Sequence, residues 1–373
     1  MPVSCDLFCA VVDNLGDAGV CWRLARQLAA EHGWAMRLWI DDMAPLALLR
    51  PGIDPLLSAQ TVDGVEIHRW SKEFPAVEPA RVVIEAFGCE LPPGYLVAMT
   101  ACRPPPLWLN LEYLSAEDWV AGCHALPSPH PTLPLTKYFF FPGFTAGTGG
   151  LIRERDFGVP PVPQERVPFR VFPPVMPTAG DPLTLSLFCY DNPALPHLLD
   201  SWAHGSERIA CRVTDGLPRR QVEQWLGAEF SVGATAQRGQ LSLIALPFLP
   251  QIEYDALLGG CDLNFVRGED SFVRAQWAEQ PFVWQPYPQS EDTHRIKLAA
   301  FLQRYLTGLD AAASSAVRNF WQAWNGEGDI AATWSGFRAA LPPLAAHGPA
   351  WSKSLRNLGD LAENIANFCS GRL

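Results

Sequence analysis

Five consecutive residues late in the chain, Arg267-Gly268-Glu269-Asp270-Ser271, put a guanidinium, two carboxylates, a hydroxyl and a glycine into one turn. The apolar run Leu263–Val266 before them reads as a buried strand. After them Phe272, Val273, Gln276 and Trp277 recur at helical spacing, which puts Ser271 at the expected helix N-cap. A strand that feeds a helix through a glycine turn presents backbone N–H groups and the positive end of a helix dipole to an anion. Arg267 adds a cation whose fork suits phosphate oxygens. Glu269 and Asp270 would repel a phosphate but suit hydroxyl groups beside it. Phosphates on one side and sugar hydroxyls on the other describe a nucleotide sugar. The plainer alternative is a βα loop whose acids cap a helix.

A second constellation opens the chain, Asp13-Asn14-Leu15-Gly16-Asp17-Ala18-Gly19. It matches neither GxGxxG nor GxxxxGK[ST], so no dinucleotide fingerprint or phosphate loop is expected. Its two aspartates suit a cation or hydroxyls instead. Asp17 falls near the first turn of the following helix, where negative charge is favoured. It is a candidate to orient a guanidinium, or to accept a proton late in a displacement. The alternative keeps Asp17 as a first-turn acid and Asp13 as a solvated strand-end acid.

Phe188 and Tyr190 follow a strand and offer aromatic faces to a base, while Phe248, Pro250 and Gln251 follow another, Gln251 with an amide able to read a pyrimidine edge. As an alternative, Phe188 and Phe248 belong to the core. There is no HExxH and no Asp-x-Asp, and the eight histidines are dispersed, so no metal site is expected. No GxSxG elbow occurs. Asp41-Asp42 reads as a pair of solvated loop acids.

These groups need a scaffold. Leu7–Val12, Met36–Ile40, Arg81–Phe87 and Leu107–Tyr113 read as strands, with a helix over Val20–His32 between the first two. Strands alternating with helices predict parallel βαβ units. Eight prolines between Pro160 and Pro182 exclude a helix interior or central strand and predict a semi-rigid connection. From Leu183 the α/β pattern restarts, and near its end Asp329–Leu341 reads as a helix that stops before Pro342. The expected domains are 1–157, a linker over 158–182, a second α/β domain over 183–345, and a C-terminal segment 346–373 that includes a final helix from Trp351 to Phe368, returning to the first domain. Two such domains imply a cleft between the carboxyl ends of two parallel sheets, where open α/β sheets bind ligands.

At 373 residues, with 48% hydrophobic and 18% charged, the chain suits two folded cores. A net charge of -11 with no Lys/Arg block argues against generic nucleic-acid binding. Ten scattered cysteines without a CxxC pair, no basic signal sequence and no membrane-length apolar run predict a cytoplasmic protein with reduced thiols.

Six strings then carry a resemblance over essentially the whole chain: Asp13-Asn-Leu-Gly-Asp-Ala-Gly-Val-Cys-Trp-Arg-Leu-Ala-Arg-Gln-Leu28, Asn110-Leu-Glu-Tyr-Leu-Ser-Ala-Glu-Asp-Trp119, Leu126-Pro-Ser-Pro-His130, Lys137-Tyr-Phe-Phe-Phe-Pro-Gly143, Ser186-Leu-Phe-Cys-Tyr190 and Phe265-Val-Arg-Gly-Glu-Asp-Ser271. Together they resemble the bacterial elongation factor P arginine rhamnosyltransferases. The resemblance implies a GT-B glycosyltransferase with two Rossmann-like domains and dTDP-β-L-rhamnose as donor, held mainly by the C-terminal domain. It implies an arginine of elongation factor P as acceptor, transfer with inversion, and no cofactor or metal. It maps an acidic pair onto Asp13 and Asp17 and a catalytic glutamate onto Glu269. Thymine and ribose contacts map onto Phe188, Tyr190, Phe248, Pro250 and Gln251, and Asp270 with Ser271 falls beside the diphosphate. Asn14, Leu15, Gly16, Arg267 and Gly268 complete the substrate-binding set. Leu15 departs from the aromatic often found at its position. The competing expectations are a glycosyltransferase of this architecture acting on a small-molecule or lipid-precursor acceptor, and a nucleotide-sensing binding module.

Overall fold

The computed structural model describes residues 2–13, 15–157, 181–288 and 292–373. The chain divides into two compact units, Met1–Phe157 with Ser354–Leu373, and Gly158–Lys353. The proline-rich stretch lies outside the described residues up to position 180, so its predicted linker conformation is not addressed by the structure.

The first unit contains strands β1 (Ser4–Cys9), β2 (Ala35–Ile40), β3 (Ala59–Val62), β4 (Val65–Arg69), β5 (Val82–Ala86), β6 (Leu107–Leu111), β7 (Pro127–Pro129) and β8 (Thr136–Phe140). They form one sheet in the order β3-β4-β2-β1-β5-β6-β8-β7, with every pair parallel except the two at the edges. Its helices are α1 (Leu15–His32), α2 (Ala44–Leu49), α3 (Pro93–Ala101) and α4 (Val120–Cys123), joined by α12 from the chain's end. The chain steps from β1 outward to β2 and β4, then crosses to β5 and steps the other way. The reversal between β1 and β5 is the topological switch point of this sheet.

Burial explains the strand assignments. β1 and β5 are apolar runs closed in on both faces. The charged exceptions are Glu85, 2% exposed, and Asp6, fully buried; the Asp6 carboxylate accepts from Arg37 Nε and Nη2 at 2.6 and 2.7 Å, Trp39 Nε1 at 3.0 Å, the Ala80 N–H at 3.0 Å and the Tyr95 hydroxyl. The hairpin β3–β4 was not expected, although its Asp63-Gly64 turn is a strong hairpin signal. Both residues take left-handed φ, 49° and 79°.

The second unit contains β9 (Leu183–Leu187), β10 (Ile209–Val213), β11 (Thr235–Arg238), β12 (Leu241–Ala245), β13 (Leu263–Arg267) and β14 (Phe282–Gln285). Their order is β11-β12-β10-β9-β13-β14, parallel apart from the edge strand β11. Helices α5 (Leu195–His204), α6 (Leu217–Leu226), α7 (Gln251–Gly259), α8 (Asp270–Ala278), α9 (Thr293–Tyr305), α10 (Ala311–Trp324) and α11 (Ile330–Arg356) accompany it. The strand order reverses between β9 and β13, which places the loops after those two strands at this unit's switch point.

Two helix boundaries differ from expectation. The first helix begins at Leu15, not Val20, because the Gly16 N–H closes a turn onto the Asp13 carbonyl at 2.6 Å and winds the former loop residues into the helix. The helices expected at 329–341 and 351–368 are instead the continuous α11 through Arg356 and a separate α12 (Leu361–Ser370). α11 passes Pro342, Pro343 and Pro349. Burial of Phe337, Leu341 and Leu344 opposes the roughly 3 kcal/mol cost of an interior proline. The break comes at Gly359, whose φ of 75° suits glycine, and Asp360 then caps α12 by accepting the Glu363 N–H at 2.9 Å. α12 joins the first unit through buried contacts, including Gln27 Nε2 donating to Asp360 Oδ1 at 3.1 Å.

Candidate active site

In the first unit the switch-point loop after β1 is shaped by one side chain. Asp17, only 2% exposed in the first turn of α1, accepts the N–H groups of Val12 and Asp13 on Oδ2, both at 2.8 Å. These loop amides precede the helix and have no strand partner there, so the carboxylate supplies the acceptor the backbone lacks. Asp41, expected to be a solvated acid, braces the same loop by accepting the Val11 N–H at 2.9 Å. Gly16 lies against Asp13: a β-carbon there would sit 2.7 Å from Asp13 Oδ2. Asp13, Leu15 and Gly16 are half-buried beside Asp17, and Asn14 lies outside the described residues.

In the second unit the loops after β9, β12, β13 and β14 bring together most of the residues singled out there. The Arg267 guanidinium carbon lies 4.5 Å from the ring centroid of Phe188 and 4.3 Å from that of Tyr190, so two aromatic rings hold one cation. Its buried Nε has no hydrogen-bond partner among the described residues. Gly268, with φ of 60°, donates its N–H to the Gln285 carbonyl at 3.0 Å, while its own carbonyl accepts Trp284 Nε1 at 2.7 Å. This pins the turn that presents α8.

Ser271 is not the N-cap. Glu269 occupies that position without a side-chain cap, and α8 starts at Asp270. The Ser271 hydroxyl accepts the Arg267 N–H at 3.0 Å and donates to the Arg267 carbonyl four residues back. The tight glycine turn starts the helix early enough to put Ser271 inside its first turn. The Gln251 amide, at the start of α7, donates to Asp270 Oδ2 at 3.0 Å, linking two loops read separately in the sequence. Pro250 is the N-cap of α7, and Phe248 is half-buried in the segment before it.

Cys189, between the two aromatic residues, is fully buried, and burial pushes its thiol up to about 12, which keeps it protonated and unreactive. Two residues here escaped the sequence reading. Tyr287 meets Tyr190 edge-on at 5.4 Å between ring centroids while remaining 45% exposed. Gln285 accepts the Tyr190 N–H at 2.9 Å through Oε1. Their signal was positional, since both fall at the carboxyl end of the strand beside β13. Asp13 and Asp17 belong to the first unit, and Arg267–Ser271 to the second. Among the described residues no group of three or more His, Cys, Asp or Glu side chains is placed to hold a metal ion, and no helix is long and apolar enough to cross a membrane.

Chemically, the first unit offers a carboxylate pair at a sheet switch point. The second offers a fixed cation with an unused N–H beside a helix N-terminus. Residues 5–370 match the family model described as Elongation-Factor P (EF-P) rhamnosyltransferase EarP. A protein-arginine rhamnosyltransferase of Pseudomonas putida is 46% identical over 374 residues, covering 99% of each chain. One from Neisseria meningitidis is 34% identical over 99% of this chain and 97% of its own. A solved structure described as the structural basis for EarP-mediated arginine glycosylation of translation elongation factor EF-P is 32% identical, covers 99% of both chains and superposes with a TM-score of 0.66. The kitacinnamycin glycosyltransferase, 12% identical, covers 100% of this chain and 99% of its own with a TM-score of 0.54, a likeness of fold alone. The two parallel-sheet units are those of the GT-B glycosyltransferase fold.

Proposed function

The chain belongs to the EarP family of Elongation-Factor P rhamnosyltransferases, and from that premise we propose that it moves rhamnose from dTDP-β-L-rhamnose to an arginine side chain of translation elongation factor P, inverting the sugar carbon. The observation that carries the donor half is Arg267, clasped by Phe188 and Tyr190 with an unused N–H at the β9/β13 switch point. A cation held by aromatic rings, not by a carboxylate, keeps its full charge for a ligand. In this reading Arg267 and the first amides of α8 meet the diphosphate, and they stabilise it as it departs. Because the guanidinium already covers one face of each ring, the thymine falls to their remaining surface and to Phe248, Pro250 and Gln251. Asp270 and Ser271 stand beside the phosphates.

The acceptor half rests on Asp17 and Asp13. A guanidinium has a pKa above about 12, so no carboxylate removes its proton outright. Asp17 orients the nitrogen and takes the proton as the C–N bond forms and the C–O bond to the diphosphate breaks, with Asp13 in support. With Oδ2 fixed by two amides, Oδ1 is the oxygen left for the substrate. Glu269 is the competing base, or holds sugar hydroxyls. We place the reaction in the cytoplasm, which ten free cysteines suit.

The test is to incubate the purified protein with dTDP-β-L-rhamnose and elongation factor P, then map any deoxyhexose mass increment to a residue. Modification of one arginine is the expected result. Donor hydrolysis with no increment on the protein would sink the proposal.

A further inference from the structure

Strands β12 and β13 are not neighbours, since β10 and β9 lie between them in the sheet. The loops that follow them carry the two ends of the proposed donor site, Gln251 after β12 and the Arg267–Ser271 turn at the end of β13. No shared ladder of backbone hydrogen bonds sets the gap between those loops. That gap is set by the helices they feed, α7 and α8.

The two helices are joined by two rungs at matching positions. Their first residues form one, with Gln251 Nε2 donating to Asp270 Oδ2 at 3.0 Å. Their fifth residues form the other, with Arg274 Nε and Nη2 donating to Asp255 Oδ1 and Oδ2 at 3.0 and 2.8 Å. Four residues make about one turn and about 6 Å of rise, so both rungs fall on one face of each helix. Two rungs fix register along the helix axes as well as separation, whereas one would leave the helices free to pivot. Next to Asp255, Tyr254 meets the Phe188 ring edge-on at 5.5 Å between centroids, and Phe188 in turn faces the Arg267 guanidinium. A shift of α7 would therefore reach the cation as well as the Gln251 amide.

Arg274 is 1% exposed and the Asp255 side chain 13%. Burying such a pair adds little stability over apolar residues of similar volume, and fixing register is the use best established for it. Leucine and methionine would join two helices as firmly without dictating which residue faces which. We propose that Asp255 and Arg274 are positioning residues for the donor. Their ion pair holds the base-reading start of α7 and the diphosphate-binding start of α8 at the spacing of a nucleoside diphosphate. In this arrangement neither side chain touches the ligand. The clamp rests on the donor reading above and deepens it, because it makes the site favour a ligand that reaches both ends at once.

Of three probes, dTDP spans both ends, thymidine reaches only the first and inorganic pyrophosphate only the second. The test measures dTDP by calorimetry and the other two by ligand-observed NMR, on the intact protein well below the thermal midpoint of each variant. Removing one partner alone strands a buried charge, so the main variant is the pair Asp255→Leu with Arg274→Met, which keeps the volume filled. Its dTDP affinity falls roughly tenfold or more, because two ends no longer act as one. Its thymidine and pyrophosphate affinities stay within about twofold of the parent's. Asp255→Asn, which keeps size and one acceptor oxygen, loses roughly threefold on dTDP alone and decides the question if the paired variant does not fold. Unchanged dTDP affinity in a folded variant would overturn the clamp, and so would a dTDP loss shared by thymidine or pyrophosphate. If the parent binds dTDP but transfers no rhamnose, the reaction proposed above fails while these titrations still decide the clamp. A parent that binds no dTDP would sink both.

Discussion

The Asp17 carboxylate accepts the backbone N–H of Asp13 at 2.8 Å, so the residue assigned to the acceptor also holds its supporting acid in place. Replacing it removes both functions. Asp17→Ala should lower turnover by roughly a hundredfold or more, in the range that positioned proton acceptors contribute. Affinity for dTDP, measured by calorimetry, should be unchanged, since the proposed donor groups lie in the other unit. Equal losses in turnover and dTDP affinity would move Asp17 to the donor.

Gly16 permits a sharper separation of chemistry from stability. A β-carbon there meets Asp13 Oδ2, the movable end of a side chain, at 2.7 Å. Gly16→Ala should displace that carboxylate while leaving the fold intact, because alanine suits this helical position better than glycine. The expected outcome is reduced turnover with a thermal midpoint equal to or above the parent's. Unchanged turnover would show that the position of the Asp13 carboxylate does not matter.

Arg267→Lys keeps the charge but not the plane. A lysine ammonium cannot lie between Phe188 and Tyr190 as a guanidinium does, nor offer a fork to two phosphate oxygens. We expect dTDP affinity to fall roughly tenfold or more, consistent with the loss of a charge-assisted bidentate contact. Calorimetric titration decides this, and a variant that binds dTDP like the parent would remove Arg267 from the diphosphate.

Asp360 gives a pH dependence that can be signed in advance. Burial holds its carboxyl above the ordinary value, outweighing the Glu363 N–H that favours the ionised form. The folded state therefore keeps the proton to higher pH than the unfolded chain does. Stability from this group is greatest below the unfolded value, and it declines as pH rises through the window up to the folded one. Asp360→Asn retains an oxygen for the Glu363 N–H and loses the charge. As pH rises above the ordinary carboxylate range toward the folded value, the midpoint of the parent should fall relative to that of the variant. Parallel curves would refute the assignment.

Helix ends were the least legible part of the fold. Local pattern favoured a stop near Pro342, yet α11 continues to Arg356, and burial of Phe337, Leu341 and Leu344 opposes the proline cost. Ser271 has an N-cap residue type at nearly the right place, but the turn at Gly268 shifted the helix start. The Asp63-Gly64 hairpin, by contrast, was legible from two adjacent residues and was missed.

The sequence by itself determined the alternation of strands and helices, the two α/β halves and the chemical types in each loop, because these depend on neighbours within a few positions. It also placed Asp17 near the first turn of a helix and Arg267 just after a strand, although that helix and that strand each extend to include them. Tertiary structure alone decided that Arg267 lies between Phe188 and Tyr190, that Gln251 reaches Asp270, and that Phe87 stacks on Tyr113. These partners are 19 to 79 positions apart in the numbering. They meet because parallel strands bring their carboxyl ends to one edge, and the order of those strands is a property of the whole sheet that no local run of residues encodes.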